Sequence, residues 1–487
     1  MPTLKKLTLL HSNDMHGDFL AEQINRKLVG GVSLLSGYIS QVRSQEKNVI
    51  YAVAGDMFRG SVIDSDYKGF STIDIMNMLA PDVVTIGNHE ADYGLAHMLF
   101  LEKCAKFPII NANLHIKNTG ARLFTPCKII ELDGMKILFI GIITEEILAQ
   151  AKKDASISAF INVEEAAQEV EKICDGYHSI DIDFTVLLTH IGIEEDKKLA
   201  ALLNPACGVD VIIGGHSHTV MEQPLEINNI LIAQAGTGTD YIGRFDIDVN
   251  TDTNSTASWS WSLVPIDDQS CPRDEAIENL ISGYKEATDQ KYNRLVTRFA
   301  RQLTHPRRNQ ETELGNLFCD LLTDSLGLDI MLLGSGSIRV ASMGPLVTLG
   351  QLQEGFSFNE NIYLLKLTGA QLRRALLYLL RDEMFNGTTE FYQLPGHLRL
   401  VYSRGGHQFK KLSFKGEEVK DEQIFTIGLQ TYHFMNAESF FGLKKEEIAA
   451  LQNPRVIALS DFQVAEEYLA SHQNLDARVD GRITICD

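Results

Sequence analysis

The feature that most constrains this 487-residue chain is a pattern repeated through its first half: a short aliphatic run stops, and polar residues follow at once. The runs are Leu7–His11, Val49–Ala54, Val83–Ile86, Ile109–Ile110, Ile137–Ile143, Phe184–Leu188 and Val209–Ile213. Nearly continuous apolar runs of this length, without period-two alternation, predict strands buried on both faces. Helical spacing lies between them, in Gly31–Arg43, Ser71–Leu79 and Val163–Cys174. Strand, loop, helix, strand predicts a layered α/β domain. Ile230–Gln234 and Tyr241–Val249 read as further strands that close it. Thr251–Ser270, rich in Ser, Thr, Asp and Asn, reads as a break, and Asp274–Val296, rich in Glu, Lys and Ala, as a helix between domains. Beyond Ala300 come a helix (Glu313–Leu326), strands (Ile330–Leu333, Ile362–Leu367, His397–Tyr402, Ile424–Leu429) and a second helix (Gly369–Leu380). The expected organisation is a domain over 1–270, a connecting helix over 271–299 and a second domain over 300–487, which the length accommodates.

The ends of the first-half strands carry the chemistry. Leu7–His11 runs into Ser12-Asn13-Asp14-Met15-His16-Gly17, Tyr51–Ala54 into Gly55-Asp56, and Val83–Ile86 into Gly87-Asn88-His89-Glu90-Ala91-Asp92. Phe184–Leu188 is followed by Thr189-His190, and Val209–Ile213 by Gly214-Gly215-His216-Ser217-His218. Open α/β sheets place ligands beyond the carboxyl ends of their strands. One Asp or His there is ordinarily a hydrogen-bonded residue and no more. Five loops in order, delivering Asp14, His16, Asp56, Asn88, His190, His216 and His218 to one edge, point to a metal centre. Carboxylate, imidazole and amide donors without thiolates suit Mn, Zn, Fe or Co. Seven donors exceed one tetrahedral site, so two divalent metal ions are expected, and a pair ~3.5–4 Å apart is the clamp used for displacement at phosphorus. Set against Asp14, Asp56 and a bridging hydroxide, two such ions leave a local positive excess that attracts phosphate, inside a chain whose net charge is −20.

Two segments point to a family. Leu9-Leu10-His11-Ser12-Asn13-Asp14-Met15-His16-Gly17-Asp18-Phe19 and Ile86-Gly87-Asn88-His89-Glu90-Ala91-Asp92 resemble the signatures of the 5′-nucleotidases, two-domain members of the calcineurin-like metallophosphoesterases. The resemblance implies an N-terminal four-layer α/β/β/α metallophosphoesterase sandwich and a C-terminal α+β substrate-binding domain joined by a helix. It implies one metal on Asp14, His16, Asp56 and His218 and the other on Asp56, Asn88, His190 and His216, with Asp56 bridging and hydroxide held on the metals attacking phosphorus. His89 then stabilises the transferring phosphoryl group or assists the leaving oxygen, and Asp92 orients the imidazole. Ala91 stands where the family usually has an aromatic residue, and His218 where some relatives carry Gln. In the second half the resemblance makes Arg308 and Arg339 substrate arginines, Phe358 and Tyr432 the rings that sandwich a base, and Glu438 a hydroxyl acceptor. Gly334, in Gly334-Ser335-Gly336-Ser337-Ile338-Arg339, replaces the family's Asn; Asn436-Ala437-Glu438 replaces Gly-Gly-Asp; and Thr304 stands where some bacterial relatives have a further arginine.

Composition narrows the partners. With 44 basic against 64 acidic residues, no nucleic acid polymer is expected as a partner, whereas a small nucleotide or phosphate ester is. The longest apolar stretch, near Lys136–Thr144, is far below the ~20 residues of a membrane helix, so no membrane association is expected. Met1–Leu10 lacks the apolar core and cleavage site of a secretory leader. Seven scattered cysteines without C-x-x-C read as free thiols of a reducing compartment, and a cytoplasmic location is the expectation. The leading reading is hydrolysis of nucleoside 5′-phosphates. The alternatives are a 2′,3′-cyclic-nucleotide phosphodiesterase or nucleotide-sugar hydrolase with the same metals, and a non-catalytic nucleotide sensor. A dehydrogenase is not expected, since Gly236-x-Gly238 and Gly334-x-Gly336 both lack the third glycine of the dinucleotide fingerprint and follow the wrong element order.

Overall fold

In a computed structural model of the chain, which describes residues 3–116, 119–144, 157–160, 162–177, 179–356, 359–385 and 389–486, each aliphatic run of the first half is a strand. The strands form two six-stranded sheets. The first contains β1 (Leu4–Ser12), β2 (Val49–Ala54), β3 (Val83–Thr85) and β4 (Ile109–Ile110), all parallel. The second is built on β5 (Cys127–Leu132), β6 (Met135–Ile143), β7 (Phe184–His190), β8 (Val211–Ile213), β9 (Leu225–Ile227) and β10 (Ile230–Ala233), with β6, β7, β8 and β10 parallel. β11 (Tyr241–Asn250) returns to pair antiparallel with β1, and β12 (Ser255–Pro265) closes that edge.

The sheets pack face to face. Leu7, Leu9, Ile50, Ala52 and Val83 of the first meet Ile137, Phe139, Val186, Leu188 and Ile213 of the second in one buried cluster. The outer face of the first sheet is covered by α1 (Val32–Gln45), α2 (Phe70–Leu79) and α3 (Leu95–Cys104), through Leu35, Ile39, Ile73, Met76, Met98 and Leu101. The outer face of the second is covered by α4 (Val163–Gly176) and α5 (Ile193–Leu202), through Ala166, Val170 and Leu199. These are the four layers α/β/β/α. Burial on both faces is why the strands carry almost no polar residue until they end, and why the residues after the ends gather at one edge.

Two expectations need correction. Ser255–Pro265, inside the segment read as a break, is an eleven-residue strand. It lies at the sheet edge and most of its residues are exposed or half-buried, so its serines meet water and no apolar run marks it. The helix expected over Asp274–Val296 is α6 (Glu275–Tyr292), and Leu295–Arg298 is a strand. Ile277 and Ile281 of α6 are buried in the core that covers the first sheet.

The chain divides within α6 into Met1–Thr288 and Asp289–Asp487. The second unit is α+β. One four-stranded sheet has β13 (Ile330–Met331), β14 (Ile362–Thr368), β18 (Ile424–Gln430) and β19 (Arg455–Ala458); the other has β15 (Leu398–Ser403), β16 (Gln408–Phe414), β17 (Glu417–Glu418) and β20 (Ile483–Cys486). Helices α7 (Glu313–Ser325), α8 (Gly369–Leu379) and α9 (Asp461–Ser471) pack on them through Phe318, Leu322, Leu372 and Leu469. All seven cysteines are free thiols, and among the described residues no helix is long and apolar enough to cross a membrane.

Candidate metal centre

Backbone hydrogen bonds join the loop after β1 to that after β2 and the loop after β7 to that after β8, and His89 N–H in the loop after β3 donates to Asp56 Oδ1 (2.9 Å). Asp14 N–H donates to the Gly55 carbonyl (3.1 Å), His16 N–H to Asp56 (2.9 Å), Gly17 N–H to Met57 (2.9 Å) and Gly192 N–H to Gly215 (3.1 Å). Five of the seven sequence-predicted ligands sit in the left-handed region: Asp14 (φ 50°), His16 (48°), Asp56 (51°), His216 (77°) and His218 (52°). Side chains other than glycine rarely adopt it, and such strain gathers at functional sites. The glycines between them are equally constrained. A Cβ on Gly215 would lie 2.6 Å from the Ala54 carbonyl oxygen and 2.8 Å from His190 Nδ1, and one on Gly87 would lie 2.2 Å from Asp56 Oδ1.

The side chains converge. Ligand atoms of Asp14, His16 and His218 lie within 4.8 Å of one another, as do those of Asp56, His190 and His216. His190 Nε2 is 3.0 Å from Asp56 Oδ2 and 3.8 Å from Asp14 Oδ1; His218 Nε2 is 3.3 Å, and His16 Nε2 3.9 Å, from Asp14 Oδ1. His16 Nε2 and His218 Nε2 approach to 3.1 Å, and His216 Nδ1 lies 2.9 Å from Asn88 Oδ1. Asp14, Asp56 and His190 are almost wholly buried, with no lysine or arginine paired to either carboxylate among the described residues. His190 donates Nδ1–H to the Ala54 carbonyl (2.8 Å), which aims its buried Nε2 at the Asp56 carboxylate. His16 Nδ1 lies 3.2 Å from the Phe58 carbonyl, which leaves its Nε2 as the lone-pair nitrogen. Burial opposes charge on His190, yet the charge and hydrogen bond of Asp56, with the charge of Asp14, outweigh it and raise the pKa. Burial likewise opposes charge on Asp56, and the His190 charge and the His89 N–H hold its carboxyl below the usual range. Two buried carboxylates beside imidazole nitrogens, with no lysine or arginine to neutralise them, suit divalent cations, and the donors contain no thiolate.

His89 lies against this cluster, with a ring nitrogen within 4.8 Å of ligand atoms on His16 and Asp56. Its Nδ1 is 2.7 Å from Asp92 Oδ2. That hydrogen bond raises its pKa, against the smaller effect of burial and with help from the charges of Asp56, Asp92 and Glu90.

In the second unit Arg308 and Tyr432 line one cleft of about 640 Å³, together with Glu390, Phe391, Arg381 and Phe440. Arg339 is exposed and is not among the lining residues, but its charge, like that of Arg308, acts on the half-buried Glu390 carboxyl. Phe358 lies outside the described residues. Glu438 is exposed on the short helix Ala437–Phe441, whose Ala437 and Phe441 face the core, and it does not line the cleft. At Gly334 a Cβ would lie 2.3 Å from His433 Nε2, so an imidazole occupies the space a side chain would need. His433 Nδ1 is 2.6 Å from the Tyr392 hydroxyl, and burial lowers its pKa to about 4.

Residues 7–220 match the family model of the calcineurin-like phosphoesterases, and residues 290–445 that of the 5′-nucleotidase C-terminal domain. The chain belongs to the 5′-nucleotidase family of calcineurin-like phosphoesterases. It is a phosphoester hydrolase. It is 24% identical to the 5′-nucleotidase of Mus musculus, over 98% of this chain and 90% of that protein. It is 27% identical to the trifunctional nucleotide phosphoesterase protein YfkN of Bacillus subtilis, over 98% of this chain but only 35% of that longer protein. Its fold is similar to that of a 5′-nucleotidase precursor from Thermus thermophilus, with a TM-score of 0.60 at 23% identity over 99% of both chains.

Sequence reasoning missed the groups that hold the ligands of this phosphoesterase in place. Glu90 is buried and accepts from the backbone N–H of Asp56 (3.1 Å), Met57 (2.7 Å) and Gly87 (2.5 Å). Burial and the Asp56 charge push its carboxyl up to about 7. Asp196, buried at the start of α5, accepts from Thr189 Oγ1 (2.6 Å) and Gln234 Nε2 (3.1 Å), tying the residue before His190 to the end of β10. Asn13 donates to Asp14 Oδ2 (2.7 Å) and to the Gly236 carbonyl (2.7 Å). Glu90 and Asn13 stand inside the family signatures, but their spacing says nothing of what they bind; Asp196 carries no signal beyond being acidic on a helix.

Proposed function

We propose that this phosphoesterase hydrolyses nucleoside 5′-phosphates to nucleoside and phosphate. The observation that carries the reading is the convergence of six carboxylate and imidazole donors, with Asn88 against His216, beside the hydrogen-bonded His89–Asp92 pair. Asp14, His16, Asp56 and His218 would hold one divalent ion, and Asp56, Asn88, His190 and His216 the other, with Mn, Zn, Fe and Co all suited to the donors. Bound there, such ions lower the pKa of water toward neutrality and offset the charge of phosphoryl oxygens. The protein's own groups position and protonate. His190 and His16 keep their Nε2 lone pairs inward because Nδ1 is committed to a backbone carbonyl. His89, with Nδ1 committed to Asp92, is left with Nε2 for a phosphoryl or leaving-group oxygen, and its raised pKa favours the form that carries a proton there. In the second unit, Arg308 and the exposed ring of Tyr432 offer a nucleotide a cation and a stacking face.

A broader phosphoesterase, active also on 2′,3′-cyclic nucleotides or nucleotide sugars, draws support from the likeness to a protein named as a trifunctional nucleotide phosphoesterase. A non-catalytic sensor would have no use for His89 and Asp92. The test is a hydrolysis screen of nucleoside mono-, di- and cyclic phosphates and nucleotide sugars with each of the four metals. Release of phosphate from nucleoside 5′-monophosphates is expected. Hydrolysis of p-nitrophenyl phosphate with no turnover of any nucleoside monophosphate would refute it.

A further inference from the structure

Asp92 serves two donors through one oxygen. Its Oδ2 lies 2.7 Å from His89 Nδ1 and 2.7 Å from Arg59 Nη1, while Oδ1 is buried without a hydrogen-bond partner. The carboxylate side chain is 6% exposed and that of the arginine 59%. An ion pair so exposed on its cationic side contributes little to folding. The backbone is nevertheless arranged to deliver this side chain. Arg59 is held at φ 65°, where a residue with a Cβ is disfavoured. Its N–H donates to Asp64 Oδ2 at 2.8 Å. Asp64 is fully buried and also accepts from the Tyr93 hydroxyl (2.9 Å) and the Thr72 hydroxyl. The next residue, Gly60, is packed so closely that a Cβ would lie 2.1 Å from the His16 carbonyl oxygen. Asp64 thus bolts the loop carrying Arg59 to the loop carrying Asp92 and Tyr93, within one unit of the protein.

We propose that Arg59 is a positioning residue for His89, acting through Asp92; the inference rests on the hydrolase reading above. Held between two donors, the Asp92 carboxylate has one setting, and it keeps the His89 ring turned so that Nε2 meets the leaving oxygen. As a hydroxide oxygen bonds to phosphorus, the bond from phosphorus to the leaving oxygen breaks; its electron pair stays on that oxygen, which takes the proton from His89, and the imidazole regains a proton from a new water, which leaves the hydroxide for the next turnover. Without Arg59 the carboxylate keeps a single donor, Oδ1 can swing into its place, and the ring loses its fixed orientation. Only one guanidinium nitrogen makes the contact, so a lysine can replace it, which a bidentate arginine would not allow.

The test compares a poor leaving group, the alkoxide of a nucleoside 5′-monophosphate, with a good one, the p-nitrophenolate of p-nitrophenyl phosphate, which departs with little need of a proton. For Arg59→Ala in the full chain, kcat is expected to fall about tenfold more on the nucleotide than on the aryl ester, a fraction of what a general acid supplies. KM and the two metals per chain, read by plasma emission, stay as in the wild type, and Arg59→Lys recovers most of the nucleotide rate. Nitrogen-15 spectra of the histidines give a readout apart from turnover: the His89 Nδ1–H signal is sharp in the wild type, broadened by exchange in Arg59→Ala and restored in Arg59→Lys. Equal loss on both esters, or no loss on either, overturns the proposal, as does an unchanged Nδ1–H signal. A raised KM with kcat retained overturns it in favour of a cation that binds substrate. A wild type that turns over no nucleotide under any metal refutes the functional reading instead, and the imidazole spectra still decide the role of Arg59.

Discussion

Gly215→Ala adds one methyl group at the most crowded point of the metal centre. The new Cβ would stand 2.6 Å from the Ala54 carbonyl oxygen, 2.8 Å from His190 Nδ1 and 3.0 Å from Asp14 Oδ2. The Ala54 oxygen belongs to a strand buried between neighbours and cannot retreat, so the methyl must displace the His190 ring and break its 2.8 Å bond to that same carbonyl. Losing the partner that fixes the tautomer of a ligating imidazole costs about 10–100-fold in metal affinity, or about 1.4–2.7 kcal/mol. Overpacking a core position adds about 1–3 kcal/mol of destabilisation. The assay is a titration of apparent metal affinity from activity against buffered free Mn or Zn, with ion content by plasma emission and a melting curve alongside. Gly283→Ala is the control: it lies within α6, its Cβ meets nothing within 4 Å, and it is expected to stabilise by about 0.5–1 kcal/mol with metal affinity unchanged. A Gly215→Ala protein that binds two ions as tightly as the wild type would refute the idea that the Ala54 carbonyl sets the aim of His190.

Four further outcomes are expected. Asp56→Asn should lose ion content at both sites by plasma emission, because one carboxylate is shared; two ions per chain retained would count against a bridge. His89→Ala should lower kcat on nucleoside monophosphates by roughly 10²–10⁴ with metals still bound, and unchanged turnover would remove His89 from the mechanism. Tyr432→Ala should raise KM for nucleotides by about the 1–3 kcal/mol of one base stack, and an equal effect on a non-aromatic phosphate ester would exclude stacking. Burial pushes the Asp210 carboxyl up to about 7, against hydrogen bonds from Thr185 N–H and Thr256. With its folded pKa above the unfolded one, its contribution to stability is complete below about pH 4 and lost as pH rises through 7; Asp210→Asn should therefore flatten the fall in melting temperature over that window, and an unaltered slope would show that Asp210 does not control it.

What was legible in the chain follows from how each part is buried. β1, β2, β6 and β7 lie between two layers, so most of their residues are apolar and each strand stands out as an aliphatic run that ends sharply at its loop. β12 has water on much of its surface, and Ser258, Ser260 and Ser262 interrupt it, so it read as a linker. The seven donors were visible because they follow those sharp ends. Their helpers were not: Glu90 works on backbone N–H groups brought near only by folding, and Arg59 reaches Asp92 across 33 residues of sequence. In the second unit the expected substrate residues rest on local alignment alone. That brings Arg308 and Tyr432 to one cleft but leaves Glu438 outside it, because one residue of shift on a short helix exchanges a buried face for an exposed one.

The left-handed residues explain why ligands spaced two apart converge. In an extended strand, residues i and i+2 share a face but stand about 6.6 Å apart. Asp14 and His16 both leave the strand region, which turns their side chains toward each other so that Oδ1 and Nε2 meet at 3.9 Å, and His216 and His218 are left-handed in the same way. Each such backbone costs of the order of 1–3 kcal/mol, and no loop offsets it by bonds within itself alone. The compensation is the set of hydrogen bonds between loops: Asp14 to Gly55, His16 to Asp56, Gly238 to Asp14, and His216 N–H to both oxygens of the Asp14 carboxylate at 3.0 and 2.9 Å. Each loop is strained alone and satisfied only by its neighbours. The ligand geometry is therefore a property of the assembled edge of two sheets, so a change that separates the loops should release the strain and scatter the ligands together rather than one at a time.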